Sequence, residues 1–352
     1  MSPLLSRDHG AVTLRTPAVS GRMSTRALVA CVLLLAATAA TTLLALMTGK
    51  VGYSPGEVLA ALVGDAPADV ELFVVRWRLP RAVAAVTFGA VLGVAGALFQ
   101  CVTRNPLGSP DIIGFSAGAS AGGVAAVTLI GSSFAVVAAG TLIGGLLVAA
   151  LIMLLSRGGG TGGFRLVIVG IGLSAMLVSV ESWLVLTADL DVAQVAALWS
   201  VGTLNGTSFT HSGIAMALGI AAVVAVIVLL SRRLTLLDLG EDLSGALGAD
   251  PLRTRTVAVL AGVLLIAIVT AAAGPIAFVA LAAPHIGRRL AGMAGVALVP
   301  AACTGAFLLA LSDFVAQHAL PGRMLPVGVV TVAVGGLYLI TLIVRENRKG
   351  VL

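Results

Sequence analysis

Apolar runs of about twenty residues, with few or no charges, recur along most of this chain, and no other feature limits its fold so strongly. A helix of that length crosses about 30 Å of hydrocarbon and satisfies its backbone polar groups internally. Such runs can be placed at ten positions: 27–47, 82–102, 112–130, 134–155, 165–187, 211–230, 255–273, 276–292, 298–318 and 325–344. Composition leaves little room for another reading. Of the 352 residues, 59% are hydrophobic and only 10% charged, and the mean hydropathy is +1.11. A soluble domain carries roughly a quarter charged residues, so a cytosolic enzyme of this length could not clothe its surface. Strands of a membrane barrel alternate apolar and polar residues, which these runs do not. The chain is therefore read as all-α, a polytopic membrane protein with about ten transmembrane helices. The runs on either side of Gly274 and Pro275 form either one kinked element or two helices meeting at a tight turn.

With both ends placed on one side, sixteen of the 21 Lys and Arg residues fall on that side. Positive charge is retained in the cytoplasm, so both termini are expected there. The expected division is a cytoplasmic tail at 1–26 that need not be ordered, one transmembrane domain at 27–345 with a cytoplasmic segment near 231–255, and a short cytoplasmic tail at 346–352. Lys50, Arg76, Arg78, Arg81 and Arg323 remain outside against that tendency. The net charge of +6 flanks the spans, so no nucleic-acid partner is expected. Cys31, Cys101 and Cys303 sit within or at the end of apolar runs and read as small hydrophobes, with no metal cluster or disulfide framework.

Gly114, Gly118 and Gly122 recur every four residues, which would leave one face of the third span bare for close helix approach. No G-x-x-x-x-G-K-[ST] loop or H-E-x-x-H occurs, so neither ATP phosphates nor a zinc-hydrolase site has an evident home in this chain. Two carboxylates fall within spans, Glu181 and Asp313. Both lie toward the outer ends, where snorkelling and a functional role stay open alike.

From Arg78 the chain reads R-L-P-R, then Gly89, Gly93, Gly96, Gln100 and R-N-P-L-G-S-P-D-I-I-G-F over 104–115. Later come L-x-L-G-E-D-L-S-G-A-L-G over 237–248, G-P-I-A-F-V-A-L-A-A-P-H-I-G-R over 274–288, and L-P-V-G over 325–328. This ordered set resembles the FecCD/BtuC-type permeases of ABC importers for iron-siderophore, haem and cobalamin. The variant G-S-P-D-I-I-G-F is similar to the second permease subunit of ferric-enterobactin-type systems. The resemblance implies a type II importer architecture in the inner membrane of a bacterium. It also implies two copies of a separate ATPase, a second permease subunit making a heterodimer or homodimer, and an extracytoplasmic siderophore-binding protein. Ferric siderophore is then the cargo. ATP and Mg are used by the partner ATPase, and this chain holds no cofactor or metal and is not an enzyme. Haem or cobalamin import by the same architecture is the alternative. An ion-coupled secondary transporter is a poorer one, lacking paired midplane charges.

The resemblance also assigns residues. Leu237, Leu239, Gly240, Glu241, Asp242, Leu243, Leu247 and Gly248 would form the coupling element seated on the ATPase, and leucines on a polar segment suit a protein partner better than water. Arg76, Arg78, Arg81 and Arg323 would dock the binding protein, with lipid phosphate as the competing use of these charges. Gln317 and Met324 depart from the family, which commonly has an arginine and a glutamate there, so Arg323 is expected to supply a local replacement charge. Glu181, on a span that lines the pathway in the family, is expected to face the vestibule. Asn105, Pro106, Pro110 and Asp111 read as a turn after the second span, and Pro284 and His285 as a comparable turn after the eighth, His285 lacking any second ligand at metal spacing.

Overall fold

The computed structural model describes residues 5–8, 11–15, 20–156, 162–320 and 323–347. Three short strands open the chain, β1 (Leu5–Asp8), β2 (Ala11–Arg15) and β3 (Ser20–Ser24), paired antiparallel in sequence order. The N-terminal tail thus carries a small sheet ahead of the first span. Helices follow: α1 (Thr25–Met47), α2 (Pro55–Val63), α3 (Ala68–Glu71), a π-helical stretch (Leu72–Arg78), α4 (Leu79–Thr103), α5 (Pro110–Ile113), α6 (Phe115–Leu129), α7 (Phe134–Leu155) and α8 (Gly162–Thr187). The second half holds α9 (Leu190–Ser200), α10 (Phe209–Asp238), α11 (Glu241–Ala246), α12 (Pro251–Ala273), α13 (Val279–Ala291), α14 (Leu298–His318) and α15 (Val327–Asn347).

Every one of the ten apolar runs contains a helix. Among the described residues seven helices are long and apolar enough to cross a membrane, while α6, α13 and the apolar part of α15 (Val327–Thr341) are shorter. Local chemistry sets many of the starts. Ser24 accepts from Ala27 N at 3.2 Å, Ser109 from Ile112 N at 3.3 Å, Ser208 from His211 N at 3.4 Å, and the Asp250 carboxylate from Arg253 N at 3.0 Å. Ser54 and Glu57 form a reciprocal capping box on α2, with Pro55 in its first turn.

Helix α4 is the centre of the bundle. Its span is the most buried, and α10, α12, α13 and α14 pack around it. Between helices in lipid there is no hydrophobic drive, so stability comes from close backbone contact. Gly89 and Gly93 of α4 meet Gly305 and Ala301 of α14 so closely that an added Cβ would strike a carbonyl. Gly118 and Gly122 of α6 mesh with Gly144 and Gly140 of α7 in the same way. Gly114 does not belong to that face. With φ of 93° it is the left-handed joint between α5 and α6, so the bare stripe has two glycines rather than three.

The element around Gly274 is two helices with a non-helical linker. Gly274, at φ 71°, ends α12, and Pro275 to Phe278 separate it from α13. Phe278 also adopts positive φ, 67°, unusual for a bulky residue, and its N–H donates to the Asp111 carboxylate at 3.1 Å. Pro284 and His285 correct the sequence reading: they lie inside α13, not in a turn. Pro284 has no N–H to offer the carbonyl of Ala280, four residues back, and the bare backbone of Gly96 packs against that oxygen instead. His285 Nδ1 lies 2.9 Å from the Tyr338 hydroxyl, tying α13 to α15. Arg26, in the first turn of α1, donates to Leu290 O at 3.0 Å and Arg289 O at 3.1 Å, satisfying carbonyls at the end of α13.

Candidate functional site

The two ends of the bundle hold different chemistry. At the end away from α11, Arg81 in the first turn of α4 faces Asp313 of α14. Its Nε donates to both carboxylate oxygens at 3.0 Å, and Nη2 donates to Oδ1 at 2.8 Å. Nη1 donates to Asn205 Oδ1 at 2.6 Å, and Gln317 Nε2 donates to Asp313 Oδ2 at 2.8 Å. Arg81 is 8% and Asp313 2% exposed. The arginine is therefore committed to an internal, fully hydrogen-bonded ion pair, and in this chain its charge is not presented to a partner. This corrects the docking assignment of Arg81. Gln317 and Met324, the two positions that depart from the family pattern, both touch this cluster: Met324 Sδ lies 3.6 Å from Arg81 Nη1. Asp313 is likewise a structural partner.

Arg78 is half spent. It donates to Leu46 O at 2.7 Å and Val51 O at 2.6 Å, and its guanidinium lies 5.1 Å from the Tyr53 ring centre. It thereby holds the link between α1 and α2 against the π-helical stretch. Arg76, Lys50 and Arg323 are exposed. Lys50, Arg76, Arg78 and Arg81 line a cavity of about 560 Å³ walled by Phe73 and Trp77, whose rings meet edge to face at 5.0 Å. Arg323 lies outside that lining and pairs back to Leu320 through its backbone.

At the other end, α10 runs on to Asp238 and the segment then turns through Gly240, at φ 110°, into α11. Gly248, at φ 80°, and the Asp250 cap restart α12. Leu239, Leu243 and Leu247 are 56%, 51% and 56% exposed; Leu243 lies on α11 and the other two flank it, at the end of α10 and just after α11, so the segment presents a set of exposed leucines. Leu237 is not part of it. It occupies the last turn of α10 and is 1% exposed, packed into the core, which corrects its assignment to the coupling surface. Ser244 is buried on the inner side of α11, and its carbonyl accepts from Ala249 N at 3.0 Å, closing the end of the short helix. Asp242 is exposed, while the side chain of Glu241 lies outside the described residues.

Along the bundle wall, α8 is the least buried span. Met176, Trp183 and Leu186 stand out from it, and Leu337 and Ile340 from α15. Glu181 leans toward Ser120 of α6, and its Oε1 is buried without a hydrogen-bond partner. The carboxylate thus lies against a neighbouring helix and not on the outward face of α8. At the first predicted turn, Arg104 closes α4 at φ 50°, and the Asn105 side chain accepts from Leu107 N at 2.9 Å. Pro106 follows in that turn, and Pro110 opens α5. Asp111, read from sequence only as part of this turn, is the residue most underestimated. Besides Phe278 N it accepts from the Ser116 hydroxyl at 2.6 Å, joining segments 167 residues apart. No periodicity marks such a contact. The adjacent positive-φ Phe278 is visible only in the fold.

The chain is similar to known proteins over nearly its whole length. It is 44% identical over 327 residues to the ferric enterobactin permease protein FepG of Escherichia coli, covering 93% of this chain and 99% of that one. It is 36% identical over 314 residues to FepD of the same organism, covering 88% and 93%. To the vitamin B12 permease protein BtuC of Salmonella paratyphi A it is 34% identical over 311 residues, covering 87% and 92%. Among solved structures, a metal-chelate type ABC transporter in an inward-facing conformation matches with a TM-score of 0.78 at 26% identity, covering 90% of this chain and 98% of that one. The model of the FecCD transport family matches residues 33–345, and the chain belongs to that family.

Proposed function

We propose that the chain is a permease subunit of an ABC importer that carries ferric siderophore across the cytoplasmic membrane. The observation that carries the reading is the exposure of Leu239, Leu243 and Leu247, apolar side chains on and beside the short α11, in a chain so similar to siderophore permeases. An ATPase subunit, present twice in the assembly, seats α11 and uses ATP and Mg; this chain supplies no bond chemistry. Closure of the ATPase pair biases the bundle between outward-open and inward-open arrangements. A second permease, in a heterodimer, covers the exposed faces of α8 and α15, and the pathway runs between the two subunits. Both termini and α11 lie in the cytoplasm, as the distribution of Lys and Arg supports.

An extracytoplasmic binding protein delivers the chelate to the opposite end, where Arg76, Lys50 and Arg323 offer free charge and Arg78 partial charge. Because Arg81 is internally neutralised and residue 317 is a neutral glutamine, this subunit makes the weaker docking half and its partner permease the stronger. The test is uptake of radiolabelled ferric siderophore by cells carrying Leu243→Asp, together with recovery of the ATPase on a tagged permease. Loss of both with normal membrane levels supports the reading. Normal uptake after the substitution would remove the coupling role.

A further inference from the structure

Beside α11 lies a cavity of about 320 Å³ bounded by the end of α10 and the start of α12, and lined by Arg232, Arg233, Arg253, Leu247, Asp250 and Thr254 among others. Among the described residues none of the three arginines makes a side-chain ion pair or hydrogen bond. The one carboxylate in the lining, Asp250, is turned to the α12 backbone as its cap, 3.0 Å from Arg253 N. Three exposed arginines around one pocket give it a positive potential that favours an anion.

The surface continuing from the pocket says which kind of anion. Leu229 lies one turn below Arg232 and Arg233 on α10, and Val257, Leu260 and Leu264 lie one, two and three turns below Arg253 on α12; all four are exposed. The cationic groove thus opens at the end of two packed spans that carry exposed apolar residues on the turns next to it. We infer that this groove binds an anionic phospholipid, its phosphodiester held by Arg232, Arg233 and Arg253 and its acyl chains laid along α10 and α12. Free phosphate would leave those apolar residues unused. Leu247 lines the pocket and also belongs to the exposed leucine set, so the headgroup touches the segment proposed above to couple to the ATPase; this last link rests on that proposal, whereas lipid binding does not.

The test is native mass spectrometry of the purified full-length protein in mild detergent, titrated with phosphatidylglycerol or phosphatidylcholine. Wild type should retain phosphatidylglycerol roughly 10-fold or more in preference to phosphatidylcholine, R232Q/R233Q/R253Q should lose that preference, and R232K/R233K/R253K should keep most of it. Equal retention of the two lipids by wild type, or an undiminished preference in the glutamine variant, would overturn the inference. Complete displacement by millimolar inorganic phosphate would overturn the role of the acyl chains, and displacement by added ATPase subunit would reassign the arginines to a protein contact. None of these readouts depends on transport, so failure here and failure of the siderophore reading are separable.

Discussion

The two ends of the bundle treat charge and apolar surface in opposite ways. At the Arg81 end an ion pair is buried and every strong donor near it is satisfied, while free charge is pushed to Arg76, Lys50 and Arg323 at the rim. At the α11 end three leucines and three arginines stand open with no partner among the described residues. One end has completed its contacts within the chain and the other is left to be completed from outside. A charge neutralised internally fixes the angle between two helices but recruits little, whereas an exposed apolar surface recruits but orders nothing until it is covered.

The largest effect should come from breaking the closed end. Asp313→Ala leaves the Arg81 guanidinium buried without its carboxylate, a loss of about 3–5 kcal/mol that thermal unfolding in detergent should register as a sharp fall in Tm. The pairwise replacement R81M/D313L should recover most of it, since both charges leave together. At the open end, Leu243→Asp should leave Tm within error while lowering recovery of the ATPase about 10-fold or more, read by quantitative co-purification. The contrast between the two substitutions is the comparison itself.

A smaller effect tests packing between the ends. Cys31 of α1 and Cys303 of α14 are buried in one small cluster, so copper phenanthroline should join them. A gel-mobility shift that disappears in Cys31→Ser is expected; no shift under complete oxidation would place α1 elsewhere. The smallest effect belongs to α2. Its capping box holds the Glu57 carboxyl below the ordinary carboxylate value through bonds from the Ser54 backbone and hydroxyl. A depressed folded-state pKa contributes stability above the unfolded value and loses it as pH falls through the folded one. The protection of α2 against exchange, taken relative to the intrinsic amide rate, should therefore fall only on acidification below about pH 4; Ser54→Ala should weaken that pH dependence, since the backbone N–H of residue 54 remains, and Glu57→Gln should abolish it.

Span number and approximate limits were legible because each run had to satisfy the same length of hydrocarbon, and α1, α7, α12 and α14 begin and end within a few residues of their apolar runs. The exposed leucines around α11 were legible in part, since apolar residues alternate there with acidic ones, but Leu237 could not be told from Leu239 without knowing that α10 runs to Asp238. Arg81 read as a docking charge because the order of residues does not reveal that Asp313, 232 positions later, comes within 3 Å. Pro284 read as a helix end for a similar reason: the helix tolerates it because Gly96, on another span, lies against the carbonyl it strands. Local rules report what a segment prefers, and these residues answer to distant ones.

The short α13 has a consequence for how the protein is made. At 13 residues it rises roughly 20 Å, too little to cross the hydrocarbon alone. The linker before it needs Asp111 for Phe278 N, Thr203 N for the Ala273 carbonyl at 2.7 Å, and Gly335 of α15 against the Phe278 side chain. Residue 335 leaves the ribosome long after 278. The packing around Phe278 can therefore be completed only once α15 is in place.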